Sequence, residues 1–273
     1  MSTISYSRQG AGEPVVLIHG IGHQRTAWFE VYDRLAQHHD VIAIDLPGFG
    51  QSPPPQKPDT YRMASWVTQL ETFFEHLGIE RPHVVGNSLG GNLALELAAR
   101  GSVASCTAIS PAGFYLPTGL AVAGAALLSM KAASHAPLPI IRLFSQKPML
   151  RRISMSSLYA HPERLTAEHA YADTLNLRRS KGFWPCFVGG MRLNYKAIPQ
   201  VPTTIAWGDK DRLLLPSQAG RARKRLPDQR HVALPNCGHV PMLDEPELIT
   251  RVIEETVELA ERAPAASTMS ATA

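Results

Sequence analysis

The hexapeptide Gly86-Asn87-Ser88-Leu89-Gly90-Gly91 joins a short apolar run, residues 83–85, directly to a helix-forming stretch, residues 89–99. A serine at such a strand-to-helix turn is held in a strained backbone conformation and presented at the helix N-terminus. The glycines on either side let neighbouring backbone approach because they lack a Cβ atom. Free N–H groups at a helix start favour a developing oxyanion, so the pattern predicts a nucleophilic Ser88. The alternative is a glycine-flanked helix start that the serine merely caps.

Apolar strands and amphipathic helices alternate on both sides of this turn. A continuous apolar run predicts a strand buried on both faces at residues 15–18, and a second buried strand is predicted at 41–44. Further strands are predicted at residues 83–85, 103–109, 203–207 and 231–234. Helical periodicity predicts helices at residues 27–37, 63–77, 89–99 and 246–261. The alternation predicts an α/β fold with a mostly parallel central sheet wrapped by helices. The turn Gly10-Ala11-Gly12 predicts that the opening segment forms a β-hairpin.

One long interval, residues 112–198, breaks the alternation and is rich in helix formers and prolines. We interpret it as a helical cap inserted into a core made of residues 1–111 and 199–262. The cap combines leucines with scattered Lys and Arg. It forms an apolar tunnel with a basic mouth, or packs an ordinary apolar face on the core, its charges in solvent. A third alternative is peripheral contact with a membrane, against which prolines at positions 117, 137 and 139 interrupt any long amphipathic helix. Residues 263–273 are small and polar and predict a disordered tail.

Composition and charge exclude several classes of protein. The chain has 273 residues, 44% of them hydrophobic, and a formal net charge of +4. No basic stripe is interleaved with aromatics, so we expect no nucleic-acid partner. Residues 1–9 lack an apolar signal core, and residues 119–130 are too short to span a bilayer. These features predict a cytoplasmic protein without stable membrane insertion. Cys106, Cys186 and Cys237 are widely spaced, so no zinc motif is present and free buried thiols are expected.

Three further segments place polar groups just beyond predicted strands. Asp209 and Asp211 follow the strand at 203–207, and His239 follows the strand at 231–234. A carboxylate in such a place can hold a histidine in one tautomer, although acidic turns and surface histidines are common. The loop His19-Gly20-Ile21-Gly22 follows the first apolar run, where the N–H of Ile21 can join that of Leu89 in binding an oxyanion. Because sites in open α/β sheets lie at the carboxyl ends of strands, we expect these groups to meet.

With these motifs, the chain resembles the α/β-hydrolases over nearly its whole length. The matching pieces are His19-Gly20, residues 45–52, the Ser88 hexapeptide, Trp207-Gly208-Asp209-Lys210-Asp211 and Gly238-His239-Val240-Pro241. The order Ser, Asp, His is the order of that family. The resemblance implies a catalytic triad of Ser88, Asp211 and His239, because the family acid usually falls three residues after the glycine of the Trp-Gly pair. It also implies a helical cap between the sixth and seventh strands, and a mechanism without a metal or organic cofactor.

The resemblance implies hydrolysis of a carboxylic ester of a small molecule through an acyl-enzyme. An alternative is a C–C hydrolase, because Gly-Asn-Ser-x-Gly-Gly resembles the variant of bacterial meta-cleavage hydrolases. Those enzymes usually carry a tryptophan after the catalytic histidine, where this chain has Val240. Haloperoxidases and hydroxynitrile lyases share the triad, whereas epoxide hydrolases and haloalkane dehalogenases use an aspartate nucleophile. A ligand sensor without turnover is a further alternative, and the sequence leaves the oligomeric state open.

Overall fold

The computed structural model describes residues 3–262, and its centre is a single seven-stranded sheet. The strands are β1 (Tyr6–Gln9), β2 (Pro14–Ile18), β3 (Asp40–Ile44), β4 (His83–Asn87), β5 (Ser105–Ile109), β6 (Thr203–Gly208) and β7 (Arg230–Leu234). Their order across the sheet is β1-β3-β2-β4-β5-β6-β7, and every pair except the first is parallel. The predicted α/β class with a mostly parallel sheet is confirmed.

The prediction of an opening β-hairpin is wrong. β1 pairs antiparallel with β3, placing Tyr6 opposite Ile44 and Gln9 opposite Val41. Both edges of β2 are already occupied, since it pairs in parallel with β3 and β4. The glycine-rich turn therefore carries the chain from the outer edge of the sheet into its interior, and β1 closes that edge.

The described residues form eleven α-helices. They are α1 (Phe29–Leu35), α2 (Met63–His76), α3 (Leu89–Arg100), α4 (Pro117–Ala133), α5 (Leu138–Gln146), α6 (Pro148–Met155), α7 (Ala167–Arg179), α8 (Phe183–Gly190), α9 (Ser217–Arg225), α10 (Pro241–Asp244) and α11 (Pro246–Arg262). The helix predicted at 63–77 is α2, which buries Trp66, Val67, Leu70 and Phe74 against the sheet. Gly78 follows the end of α2 with φ +66°, a backbone conformation in which a residue with a side chain would be strained.

Residues 112–198 contain five of these helices, α4 to α8, and no strand. They lie between β5 and β6, one strand earlier than the position between the sixth and seventh strands that the resemblance implies. The division into core and cap at 112 and 198 stays a prediction. The predicted tail, residues 263–273, lies outside the described residues. Within residues 3–262, no helix combines the length and apolar composition needed to cross a bilayer. The three cysteines are free and buried, as expected.

Candidate active site

Ser88 lies at the junction where β4 ends and α3 begins. Its backbone has φ 58° and ψ −113°, a conformation that non-glycine residues rarely adopt. Three backbone hydrogen bonds hold it: its N–H donates to Ile109 O (2.9 Å), and its carbonyl accepts from the N–H of Asn92 (3.1 Å) and Ala112 (2.9 Å). The neighbouring strand β5 and the chain beyond it therefore stabilise a geometry that the turn alone would not keep.

The glycines flanking Ser88 are required by close backbone packing. A Cβ on Gly86 would overlap the carbonyl oxygen of Gly90, and a Cβ on Gly90 would overlap that of Ile18. Neither clash can be relieved by a side-chain rotation, because the atoms involved belong to the main chain. The motif glycines thus let α3 begin directly against the ends of β2 and β4.

His239 and Asp211 form a buried hydrogen-bonded pair. The Nδ1–H of His239 donates to Asp211 Oδ2 at 2.8 Å, and both side chains are almost fully buried. Asp211 Oδ1 accepts the backbone N–H groups of Leu213 (2.9 Å) and Leu214 (2.8 Å). This arrangement orients the carboxylate and leaves Nε2 of His239 as the ring atom that can accept a proton. Asp209, the other candidate acid, instead accepts the N–H of Cys237 at 3.3 Å in the turn.

The loop after β2 lies beside Ser88. A Cβ on Gly20 would stand 3.0 Å from the Cβ of Ser88, so the two backbones are close. Ile21 lines the same cavity as Ser88, and Leu89 is the first residue of α3, where N–H groups lack an intrahelical acceptor. The structure therefore brings the two predicted oxyanion donors, the N–H groups of Ile21 and Leu89, to the vicinity of the serine.

His19 holds this loop from behind. Its Nδ1 lies 2.7 Å from Gly20 O, and its Nε2 accepts the backbone N–H of Leu46 at 2.9 Å. The ring is wholly buried, and that burial lowers the pKa of His19. A neutral imidazole with one N–H donor and one acceptor satisfies both bonds, so His19 has a structural role next to the site.

Two residues that the sequence interpretation did not assign also hold the site together. The side-chain amide of Asn87 donates to His239 O at 2.9 Å, linking the serine turn to the histidine loop. Asp244 accepts the N–H groups of Gly238 (2.8 Å), Ala160 (3.0 Å) and His161 (2.8 Å). Asn87 lay inside the quoted motif, but nothing in the sequence distinguished Asp244 from an ordinary residue of a short helix.

A cavity of about 270 Å³ lies between the sheet edge and the helices of residues 112–198. Ser88 and His239 line one wall, and apolar side chains line most of the rest: Ile21, Leu127, Met130, Ile140, Ile141, Phe144, Met155, Leu158, Leu177, Phe183 and Leu213. No Lys or Arg contributes to the lining of this cavity. The site therefore offers an apolar chamber with a few polar groups next to the serine, the usual composition of a small-molecule site.

Two titratable side chains in the lining have strongly shifted pKa values. Burial, helped by the nearby imidazoles of His19 and His239, lowers the pKa of His23 to about 3, so His23 is neutral at ordinary pH. Burial raises the pKa of Asp173, on α7, to about 7, although a hydrogen bond from Gln24 acts in the opposite direction. Near neutral pH the cavity thus contains a carboxyl group whose charge is readily gained or lost. Among residues 3–262, no group of three or more His, Cys, Asp or Glu is arranged to hold a metal ion.

Comparison with known proteins agrees with this architecture. Residues 13–246 match the family described as alpha/beta hydrolase fold. Lipase 1 of Psychrobacter immobilis is 29% identical over 252 residues, which are 88% of this chain and 75% of the lipase. The 2-hydroxy-6-oxo-2,4-heptadienoate hydrolase of Pseudomonas putida is 44% identical over 96 residues, 33% of this chain and 34% of that enzyme.

Solved structures share the fold along nearly the whole chain. A structure described as a membrane phospholipase A, a novel bacterial virulence factor, superposes with a TM-score of 0.74 at 26% identity. The superposition covers 95% of this chain and 84% of that one. The family match spans most of the sequence, and the sheet, the turn at Ser88 and the loop at His239 have the expected topology. The protein therefore belongs to the α/β-hydrolase family and is a hydrolase.

Proposed function

We propose that this protein hydrolyses a neutral carboxylic ester with an apolar acyl group, with Ser88 as nucleophile, His239 as general base and Asp211 as the orienting carboxylate. One observation carries the proposal: the bond of 2.8 Å between His239 Nδ1 and Asp211 Oδ2, with Ser88 and His239 lining the same cavity. A nucleophile, a base and a group that orients the base are the parts that covalent ester hydrolysis requires.

The acylation step begins when Ser88 Oγ attacks the ester carbonyl carbon. His239 Nε2 takes the hydroxyl proton, and Asp211 stabilises the imidazolium that forms. The carbonyl oxygen becomes an oxyanion that accepts hydrogen bonds from the N–H groups of Ile21 and Leu89. The C–O bond of the ester then breaks, His239 returns the proton to the departing alcohol, and the acyl group remains on Ser88.

The deacylation step repeats these roles with water. His239 removes a proton from a water molecule as its oxygen attacks the acyl carbon, and the same two N–H groups bind the oxyanion. When the bond to Ser88 Oγ breaks, His239 protonates the serine and the carboxylic acid leaves. Each proton has a donor and an acceptor among the residues named, so this cycle balances without a cofactor.

The lining of the cavity supports the substrate class. About 270 Å³ is near the lower end of ligand sites, which run from roughly 300 to 1,000 Å³, so a small or medium acyl chain fits. The walls are mostly apolar, and among residues 3–262 Asp173 is the only acidic residue that lines them. A negatively charged acyl group would find no cation there and would meet Asp173. A neutral ester avoids both penalties.

The test is turnover of p-nitrophenyl butyrate by wild type and Ser88→Ala. We expect kcat to fall by about 10⁴-fold or more, because no other group supplies the nucleophile. Ser129→Ala is a matched control, since Ser129 lies exposed on α4 and its hydroxyl donates to Ala126 O at 2.8 Å. Unchanged turnover in Ser88→Ala would contradict the proposal. A stoichiometric burst without steady turnover in the wild-type protein would instead indicate a ligand sensor.

A second candidate is hydrolysis of a C–C bond, favoured by the local similarity to the heptadienoate hydrolase. That similarity covers a third of the chain, and the cavity lining lacks a cation that could bind a dienoate carboxylate. Measuring kcat/KM for 2-hydroxy-6-oxo-2,4-heptadienoate beside p-nitrophenyl butyrate separates the two. A preference of orders of magnitude for the dienoate would replace the ester proposal. We also propose that the protein acts in the cytoplasm on a small-molecule substrate.

A further inference from the structure

Exposed apolar side chains are concentrated on one part of the molecule. Among residues 3–262, eleven of the thirteen exposed large hydrophobic side chains lie between residues 112 and 198. Six of them form what we term the α5–α6 surface: Leu138, Ile140, Leu143, Phe144, Met149 and Ile153. Met149 is 76% exposed and Ile153 60% exposed. Scattered exposed leucines are ordinary, but six on two consecutive short helices indicate a surface that contacts something apolar.

The charged residues on and between α5 and α6 are all basic, and the carboxylate of Glu163 lies close enough to Arg152 to interact with it. No Asp or Glu occurs from residue 112 to residue 162. Arg142, Lys147 and Arg152 are exposed on or between α5 and α6. The first acidic residue that follows, Glu163, lies 3.2 Å from a ring nitrogen of His161. The α5–α6 surface therefore presents apolar side chains together with three cations, a combination typical of contact with anionic lipid headgroups.

The two helices are held in a defined relation to each other. The guanidinium of Arg151, a buried residue of α6, donates to the carbonyls of Ser145 (2.6 Å) and Gln146 (3.5 Å) at the end of α5. Arg142 lies 5.4 Å from the centre of the Tyr171 ring on α7. Bonds to the last carbonyls of a helix satisfy groups that would otherwise lack partners. The apolar residues are consequently displayed by a braced pair of helices.

The same surface borders the opening of the active-site cavity. Ile140, Phe144 and Ser154 line that cavity and are also exposed to solvent. Because these side chains both line the cavity and are exposed to solvent, they lie where the cavity opens. The α5–α6 surface and the cavity lining therefore share Ile140 and Phe144.

We propose that the α5–α6 surface docks the protein onto an anionic lipid bilayer. The six apolar side chains enter the boundary between headgroups and acyl chains, and Arg142, Lys147 and Arg152 lie among the phosphates. A second copy of the chain fits less well as the occupant. Symmetric pairing of this surface would bring the same cations face to face, with no carboxylate from residues 112–162 to neutralise them.

The experiment is flotation of the full chain with vesicles made of ether-linked lipids, which contain no carboxylic ester bond for the protein to cleave. Vesicles of phosphatidylglycerol and phosphatidylcholine are compared with phosphatidylcholine alone. We expect binding to the anionic vesicles, decreasing as salt is raised. Lys147→Gln/Arg152→Gln is expected to weaken it about 25-fold, from roughly fivefold per cation. Met149→Ser/Ile153→Ser is expected to weaken it at least about tenfold.

Matched controls separate this surface from general charge and hydrophobicity. Arg223→Gln/Lys224→Gln removes the same charge from exposed positions on α9, and Leu259→Ser removes an exposed leucine from α11. Both controls are expected to bind as wild type does. The proposal is overturned if wild type binds neither vesicle or both equally, or if the controls lose as much binding. A dimer in sedimentation that Met149→Ser/Ile153→Ser dissociates would also overturn it. Ester turnover is not part of the readout, so the proposed catalysis can fail independently.

Discussion

The central sheet and the helices of residues 112–198 differ in how much of each element is buried. Strands β4, β5 and β6 are buried along their whole length, and β4 leads directly into the turn at Ser88. Helix α5 buries only Ile141 and Ser145, and α6 buries only Arg151. Precise placement of reacting atoms comes from the part of the chain with the densest packing. The shape of the cavity and the outer surface come from the part with the least.

This difference predicts unequal local stability. An element with few buried apolar contacts opens at a lower free energy than one within the core. The strained φ of Ser88 is kept by bonds to β5 and to the chain after it, whereas α5 and α6 depend on their contacts with each other and with α7. Opening of α5 and α6 would therefore widen the cavity mouth without disturbing the pair of Asp211 and His239.

The largest effect is expected from changing Asp211, the buried carboxylate at the edge of the sheet. Asp211→Asn removes the charge that orients His239 and stabilises its cation, so we expect kcat for p-nitrophenyl butyrate to fall about 10⁴-fold. Asp209→Asn is the matched control, two residues away and exposed, and should keep near wild-type turnover. Equal losses of kcat in Asp211→Asn and Asp209→Asn would mean that turnover depends on the structure of the turn and not on the bond from Asp211 to His239.

A smaller effect is expected from adding one methyl group to a glycine in each of the two regions. Gly86→Ala places a Cβ against the main chain of Gly90, and we expect it to lower the free energy of unfolding by about 3 kcal/mol. Gly189→Ala, on α8, meets no atom within 4 Å and should be neutral or stabilising by up to about 1 kcal/mol. Urea unfolding of both variants measures this, and a tolerated Gly86→Ala would show that the sheet edge is less tightly packed than described.

The smallest expected effect concerns Asp173, where the helices meet the site. Burial raises the pKa of Asp173 from 3.8 to about 7, so between those values the folded state binds more protons than the unfolded state. Its contribution to stability therefore falls as pH rises from 3.8 to about 7 and levels off at higher pH, where Asp173 is ionised in both states. The KM of an ester with a carboxylate in its acyl chain should also rise severalfold from pH 6 to pH 8, because the ionised Asp173 repels it.

Asp173→Asn removes both effects in our account. The variant should show a shallower loss of stability over this pH range in urea unfolding. Its KM for the anionic ester should no longer depend on pH, while KM for p-nitrophenyl butyrate stays level in both proteins. Wild type and Asp173→Asn with the same pH dependence would place the titrating group elsewhere in the cavity.

The sequence predicts the strands of the central sheet more accurately than it predicts contacts between segments that are distant in the chain. Strands β2 to β7 were predicted within about two residues, because a strand buried on both faces needs a continuous apolar run. The partner of β1 was predicted wrongly, since a glycine turn describes local geometry and does not reveal which edge of the sheet is free. Asp244 was missed because two of its three backbone partners, Ala160 and His161, lie more than 80 residues away in the chain.

The sequence by itself determined the α/β fold and the position of the serine turn. Both depend on short-range patterns, namely apolar periodicity and glycines where backbones touch. The resemblance to the α/β-hydrolases implied Asp211, but only the tertiary structure gave its bond of 2.8 Å to His239. Only the tertiary structure decided that, among residues 3–262, the cavity lining contains one carboxyl group and no Lys or Arg. Those facts depend on which loops meet above the sheet and on how the helices of residues 112–198 pack there. Such contacts join residues far apart in the chain, so no local pattern of amino acids encodes them.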